Sequence, residues 1–312
     1  MTGIDTEPVE FQQDHHQQNH LHKSGDINAI FFLAVAANLA FTALEATYAF
    51  ITDSVSLLGD AGHNLGDVLG LLLAWGAAYL VGRKTSRMYS YGYRKTTILA
   101  AIINALILVF AAALIASESV DRFLRPTPIQ EIPVIVVAFI GILVNAGAAL
   151  LFIRGSKEDL NLKAAFLHLA YDALISVGVV VTATTILFTG WVWLDPLAAI
   201  IIVVIIVGGA WGLLRDSVNL ILDAVPQGID RSSVEDYLRT IDGVVDIHDV
   251  HIWGMSTHEN GITAHLIMPD NTLWESENGY AEISRQLRER FRIHHVTLQI
   301  EKDQDCANED CD

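Results

Sequence analysis

The sequence predicts a membrane protein in two parts. An all-α bundle of six transmembrane helices comes first, and a small α+β unit of order αββαβ follows on the cytoplasmic side. Three observations carry this. Apolar residues make up 52% of the 312 and charged residues only 18%, where a typical soluble domain carries about 25% charge. The apolar residues gather in six runs, each near the roughly 20 residues that cross a bilayer. Charge is segregated: residues 1–26 carry net −4, residues 27–215 balance to zero, and residues 216–312 hold −13 of the total −17. This composition excludes a disordered chain, and no basic face for nucleic acid exists.

The chain divides accordingly. Residues 1–26 form an acidic tail rich in His and Gln, and 27–215 a six-span transmembrane domain. Residues 216–305 form a cytoplasmic domain, and 306–312 a tail that holds the only two cysteines, Cys306 and Cys311. Cysteines confined to that tail cannot staple a core. No signal peptide is expected, because the stretch before the first apolar run is acidic where a secretory n-region is basic.

The six spans are about 28–51, 56–81, 96–117, 132–153, 164–188 and 192–214. Pro126, Pro128 and Pro133, Gly155 and Gly190 interrupt the connections between them. Orientation follows from Lys and Arg in the short loops. With both termini in the cytoplasm, ten basic residues fall inside and only Arg122 and Arg125 outside. An even number of spans places both termini on one side, as this requires.

Past residue 215 the pattern changes. Ser232–Ile241 reads as an amphipathic helix, and Val244–Trp253 and Thr263–Met268 as strands with a turn at Glu259-Asn260-Gly261. Tyr280–Phe291 reads as a second helix and Val296–Ile300 as an edge strand. The order αββαβ gives a ferredoxin-like sandwich with its helices on one face of the sheet.

Ionisable groups within a bilayer cost about 2.5–3.5 kcal/mol each on insertion scales, so the ones kept here point to function. Span one has Glu45; span two has Asp60, His63 and Asp67; span five has His168 and Asp172. Two pairs share a spacing of four, His63 with Asp67 and His168 with Asp172. That spacing places both members of a pair on one helix face. Two helices, each offering an imidazole and a carboxylate, close a four-ligand shell of the N/O kind that Zn²⁺ takes as a tetrahedron. Gly62, Gly66 and Gly70 repeat every four residues beside the first pair and permit close helix approach. A packing seam alone gives the same ladder. Span four adds Asn145, facing an undetermined direction.

Ser56–His63 followed by Asp67, and His168-Leu169-Ala170-Tyr171-Asp172-Ala173, resemble the second- and fifth-span motifs of the cation diffusion facilitator family. Tyr89-Ser90-Tyr91-Gly92-Tyr93 resembles the family's loop before span three, and Asp195-Pro196 the start of span six. His at the first position of span two is typical of the zinc-transporting branch, which includes the cobalt–zinc–cadmium resistance exporters and vesicular zinc transporters. The resemblance implies a homodimer that exports Zn²⁺ from the cytosol in exchange for protons, by alternating access, with His63, Asp67, His168 and Asp172 as the transport site. It implies a secondary active transporter and not an enzyme. Cd²⁺ and Co²⁺ are alternative cargoes, and a membrane zinc sensor without net transport is the alternative function.

The same resemblance implies a cytoplasmic Zn²⁺ site of His248, His265 and Glu301. It also implies a second cytoplasmic site of His20 and His22 with Cys306 and Cys311, whose five-residue cysteine spacing departs from the family's three. Without metal, these His residues would be ordinary surface or strand residues. Lys95 and Asp223 resemble a charge latch between the membrane and cytoplasmic parts. Tyr89 and Tyr93 stand where some relatives place metal-binding histidines, and a phenol with pKa near about 10 is a poor zinc ligand, so no loop site is expected. The short His-free connection Arg154–Lys163 favours a bacterial cytoplasmic membrane over a eukaryotic organelle.

Overall fold

A computed structural model describes residues 36–153, 160–269 and 279–302. Helices α1 (36–52), α2 (Val55–Val81), α3 (Thr96–Leu124), α4 (Glu131–Phe152), α5 (Leu160–Thr189) and α6 (Leu194–Ile221) form a bundle. Among the described residues, five helices, α2 to α6, are long and apolar enough to cross a bilayer. The first expected span begins outside the described residues, and α1 is its described part. Leu57, Val134, Val179 and Ala183 pack inside, while Trp75, Phe110, Val204 and Trp211 stand exposed on the outer faces. Such outward faces suit a lipid solvent and not water, and the protein is integral to a membrane.

Helices α3 and α6 run about two turns past their apolar runs. Backbone hydrogen bonding continues where hydropathy ends, and polar residues such as Arg122 occupy the last turn of α3. The glycine ladder of α2 faces α3 and not α5. A Cβ at Gly66 would lie 2.1 Å from Leu108 Cδ2, and Cβ atoms at Gly62 and Gly70 would each meet an α3 side chain at 2.9 Å. The ladder is thus the seam between α2 and α3. It sets the distance of α2 from α3, not from α5.

The first turn of α2 is held from a distant part of the chain. Ser54 caps the helix by accepting from Leu57 N. The Asp195 carboxylate, at the start of α6 and 2% exposed, accepts from Ser54 Oγ (2.7 Å), Val55 N (2.7 Å), Ser56 N (3.3 Å) and Ser56 Oγ (2.5 Å). These bonds satisfy orphan N–H groups and place a negative charge at the positive end of the helix dipole. Asp195→Ala strands buried donors, and hydrogen bonds to a charged group each contribute about 1.5–3 kcal/mol. We expect a loss of roughly 3 kcal/mol or more, read as a fall in the unfolding midpoint of the detergent-solubilised protein. An unchanged midpoint would show that the cap is idle.

Beyond α6 come α7 (Arg231–Arg239), β1 (Asp246–Gly254), β2 (Asn260–Ile267), α8 (Gly279–Phe291) and β3 (Ile293–Glu301). Asp230 caps α7 by accepting from Ser233 N. Strand β2 is central, antiparallel to β1 and parallel to β3. Val234 and Leu238 of α7 and Ile283 and Leu287 of α8 bury against Ile262, Ala264 and Leu266 of the sheet. The observed order is αββαβ. The turn expected at Glu259–Gly261 lies earlier, over residues 255–259. Met255 N donates to Glu259 O, and the Ser256 hydroxyl accepts from the N–H groups of His258 and Glu259. That hydroxyl closes the turn and frees Asn260 and Gly261 to begin β2.

Candidate metal centre

The four polar residues on α2 and α5 converge. His63 Nε2 lies 3.2 Å from Asp172 Oδ1 and 3.8 Å from Asp67 Oδ2. His168 Nε2 lies 3.4 Å from Asp67 Oδ2 and 3.7 Å from Asp172 Oδ2. Zinc bonds to nitrogen and oxygen of about 2.0–2.1 Å put the corners of a tetrahedron roughly 3.3–3.4 Å apart. The four His–Asp spacings, 3.2–3.8 Å, bracket that value; one donor atom each of His63, Asp67 and Asp172 lies within 4.8 Å of the others, with His168 outside that group. The two imidazoles, 6.3 Å apart at their centroids and edge to face, do not stack on each other.

Burial is graded across the quartet. Asp172 is fully buried, His63 and Asp67 are 17% and 19% exposed, and His168 is 48% exposed. His168 therefore forms the accessible side. A cavity of about 740 Å³ opens there, with Asn104 and Leu108 of α3 and Ile202 and Ile206 of α6 among its walls. Asp67 Oδ2 and Asp172 Oδ2 are buried and accept no hydrogen bond from the described residues, the nearest nitrogen being His168 Nε2 at 3.4 and 3.7 Å. A buried carboxylate oxygen without a donor is costly, and a cation between the two aspartates removes that cost. The donor set and its orphaned oxygens fit a divalent ion.

Asn145 is also fully buried, and both its amide atoms lack hydrogen-bond partners among the described residues.

The C-terminal unit holds a second cluster. Strand pairing sets His248 opposite His265, and places Glu301 beside Ile267 on the neighbouring strand. His248 Nε2 is 3.0 Å from Glu301 Oε2, and His265 Nδ1 is 3.0 Å from Glu301 Oε1. One ligand atom from each of the three falls within 4.8 Å of the others. Burial works against the Glu301 charge, but the Gln299 amide and the two imidazoles outweigh it and hold the carboxyl below its ordinary range. It therefore stays ionised at neutral pH, as a metal ligand must.

Sequence reasoning missed one member. Asp249 Oδ2 lies 3.4 Å from His265 Nε2, and Asp249 Oδ1 lies 2.7 Å from His251 Nε2. In a regular strand Asp249 would point away from His248. A bulge between His248 and His251, with Asp249 at φ 50°, breaks the alternation. The run His-Asp-x-His was the available signal, but its register was not.

Lys95 Nζ and Asp223 Oδ1 are 2.8 Å apart, and both side chains are about half exposed. Arg94 pairs with Glu259 at 2.7 Å, and Thr257 N donates to Thr97 Oγ1 at 3.1 Å. The start of α3 is thus joined to the C-terminal unit at several points. Exposed pairs contribute about 0–1 kcal/mol each, so the joint sets alignment more than stability. His20, His22, Cys306 and Cys311 lie outside the described residues.

The profile of the cation efflux transmembrane domain matches residues 31–222, and that of the cation efflux protein cytoplasmic domain matches 226–303. The chain is 34% identical over 288 residues to the cadmium, cobalt and zinc/H(+)-K(+) antiporter of Bacillus subtilis, covering 90% of this chain and 91% of that protein. It is 32% identical over 283 residues to the metal cation efflux system protein CzcD of Cupriavidus metallidurans, covering 91% and 89%. It is 32% identical over 299 residues to the zinc transporter ZitB of Escherichia coli, covering 95% and 94%. With both profiles in tandem and relatives matched almost end to end, the chain belongs to the cation efflux, or cation diffusion facilitator, family, in its zinc, cadmium and cobalt branch.

Proposed function

We propose that this protein is a secondary active exporter that moves Zn²⁺ out of the cytosol in exchange for protons, as a homodimer in a bacterial cytoplasmic membrane with both termini inside. In this reading residues 27–215 are the transport domain, 216–305 the cytoplasmic domain, and 1–26 and 306–312 the tails. His63, Asp67, His168 and Asp172 hold the ion in transit. The observation that carries the reading is the approach of donors from two helices, His63 to Asp172 at 3.2 Å and His168 to Asp67 at 3.4 Å, with two carboxylate oxygens that accept no hydrogen bond from the described residues. The names of the relatives, a cadmium, cobalt and zinc/H(+)-K(+) antiporter and a zinc transporter among them, support both cargo and counter-ion.

Metal enters past His168, the exposed member. Imidazole and carboxylate ligands bind metal only when deprotonated, so protons and metal compete for the same lone pairs. Free His titrates near about 6.5, which suits a proton-for-metal exchange in the physiological range. Export needs one helix group to rock against another around the site. His248, His265 and Glu301, with Asp249 beside them, hold a Zn²⁺ that stabilises the dimer and regulates flux. The Lys95–Asp223 pair keeps the two domains in register.

The test is zinc flux into proteoliposomes loaded with a metal-sensitive dye, with and without an imposed pH gradient. Flux that responds to the gradient supports the antiporter. Zinc binding with no flux would replace it with a membrane sensor, and faster flux of Cd²⁺ or Co²⁺ would change the cargo.

A further inference from the structure

One group of ionisable residues has no part in the quartet. Glu45 of α1, Asp60 and Asn64 of α2 and Ser176 of α5 are all fully buried. Asn64 Nδ2 donates to Glu45 Oε2 at 2.9 Å and lies 3.5 Å from Asp60 Oδ1, so a single amide spans two carboxylates. Ser176 Oγ donates to Asp60 Oδ2 at 2.9 Å. Neither carboxylate has a hydrogen bond or ion pair to the quartet among the described contacts. No Lys or Arg lies in 36–52 or 55–81 to balance them. The ionisable groups that act on the pair are His63 of α2 and Asp172 of α5. The membrane-buried stretches 97–117 of α3, 132–152 of α4 and 196–214 of α6 contain no charged residue.

Two fully buried carboxylates that share one amide do not both ionise; they share a proton. The hydrogen-bond inventory points the same way. Glu45 Oε1 and Asn64 Oδ1 are buried acceptors with no donor among the described residues. One added proton turns Oε1 into a donor and lowers the number of unmet acceptors.

The position is as informative as the chemistry. Asp60 precedes His63 by one turn on α2, and Ser176 follows Asp172 by one turn on α5. The pair therefore sits about one helical turn, roughly 5 Å, from the quartet toward the N-terminal end of α2. In the orientation proposed above, that is the outer side. We propose that Glu45 and Asp60 form a buried carboxyl–carboxylate site that holds one shared proton, gives it up when a cation occupies the neighbouring quartet and takes one back from the outer side when the cation leaves. When a cation enters the quartet the O–H bond of the pair breaks and its proton passes to the solution on the cytosolic side, with the Asn64 and Ser176 bonds holding both carboxylates in place. A proton from the outer solution restores the pair. Each cycle thus carries a proton inward while the metal goes outward.

This inference rests on the antiport reading, and its test separates the two. The full chain is compared with Glu45→Gln and Asp60→Asn, which keep size and hydrogen bonding but cannot carry the shared proton. We expect zinc still to bind, with Kd within about threefold of wild type. Protons released per zinc, followed with a pH dye in weak buffer, should fall, and the stimulation of flux by a pH gradient should drop at least about fivefold. Infrared spectra of the zinc-free wild type should show a protonated-carboxyl stretch that either variant removes. Unchanged proton release and gradient response in both variants would overturn the proton site and leave the antiporter standing. A wild type whose flux ignores the gradient would overturn both. If neither variant folds, the wild-type spectrum decides: a carboxyl band that shifts on zinc binding supports the site, and its absence at every pH overturns it.

Discussion

Asp172→Ala is expected to abolish zinc flux in proteoliposomes, to below about one hundredth of wild type, while the protein still inserts and folds. Asp172 is the one fully buried member of the quartet, and its two oxygens face different imidazoles, His63 at 3.2 Å and His168 at 3.7 Å. Removing it takes away one of the four proposed ligands and half of the quartet's negative charge. Two neutral imidazoles and one carboxylate leave a bound Zn²⁺ with an uncompensated charge in a low-dielectric bundle, which is costly. Stability responds in the opposite sense to binding. In the zinc-free protein Asp172 Oδ2 is buried with no donor among the described residues, and relief of that burden offsets the loss of the 3.2 Å contact between Asp172 Oδ1 and His63. The unfolding midpoint of the metal-free variant should equal or exceed wild type. Asp172→Asn is the sharper control, because it keeps the shape and loses the charge, and its flux should fall as far. Residual flux above a tenth of wild type in either variant would remove Asp172 from the transport site.

The parts of the molecule that were legible in the sequence are those governed by local periodicity. Apolar runs of near-span length gave the helices of the bundle, and the spacing of four put each His-xxx-Asp pair on one helix face. What the sequence could not supply was partnership across long separations. The Gly62–Gly66–Gly70 ladder announces close packing but carries no mark of its partner, which is α3 through Leu108. Asp195 reads as the start of α6, yet it caps α2 some 140 residues earlier, through Ser54, Val55 and Ser56. Glu45 and Asp60 were visible singly as unexpected charges, while their junction at Asn64 exists only once α1 lies against α2. Asp249 was hidden for a local reason, since a bulge reverses the face that simple alternation assigns.

His265→Ala has the largest expected effect in the C-terminal cluster, because His265 is the residue through which the others are joined. Its Nδ1 meets Glu301 at 3.0 Å and its Nε2 faces Asp249 at 3.4 Å, while its ring lies edge to face with His248 at 5.0 Å. Without it, His248 and Glu301 remain as two ligands across a gap between strands that are not paired, since β2 separates β1 from β3. Two ligands do not hold Zn²⁺ tightly where three or four are the rule. Measured in an Asp172→Ala background, where the quartet no longer competes for metal, zinc affinity should fall at least about a hundredfold on adding His265→Ala. Asp249→Ala, at the rim of the cluster, should cost about tenfold or less. With Asp172 intact, His265→Ala should reduce flux severalfold without abolishing it if, as proposed, a metal held there regulates and is not the cargo. Complete loss of flux in a normally folded His265→Ala protein would instead make the cluster an obligatory station on the way to the quartet. The two outcomes assign different work to the acidic C-terminal unit. In the first it senses cytosolic zinc and sets the rate, and in the second every exported ion passes through it.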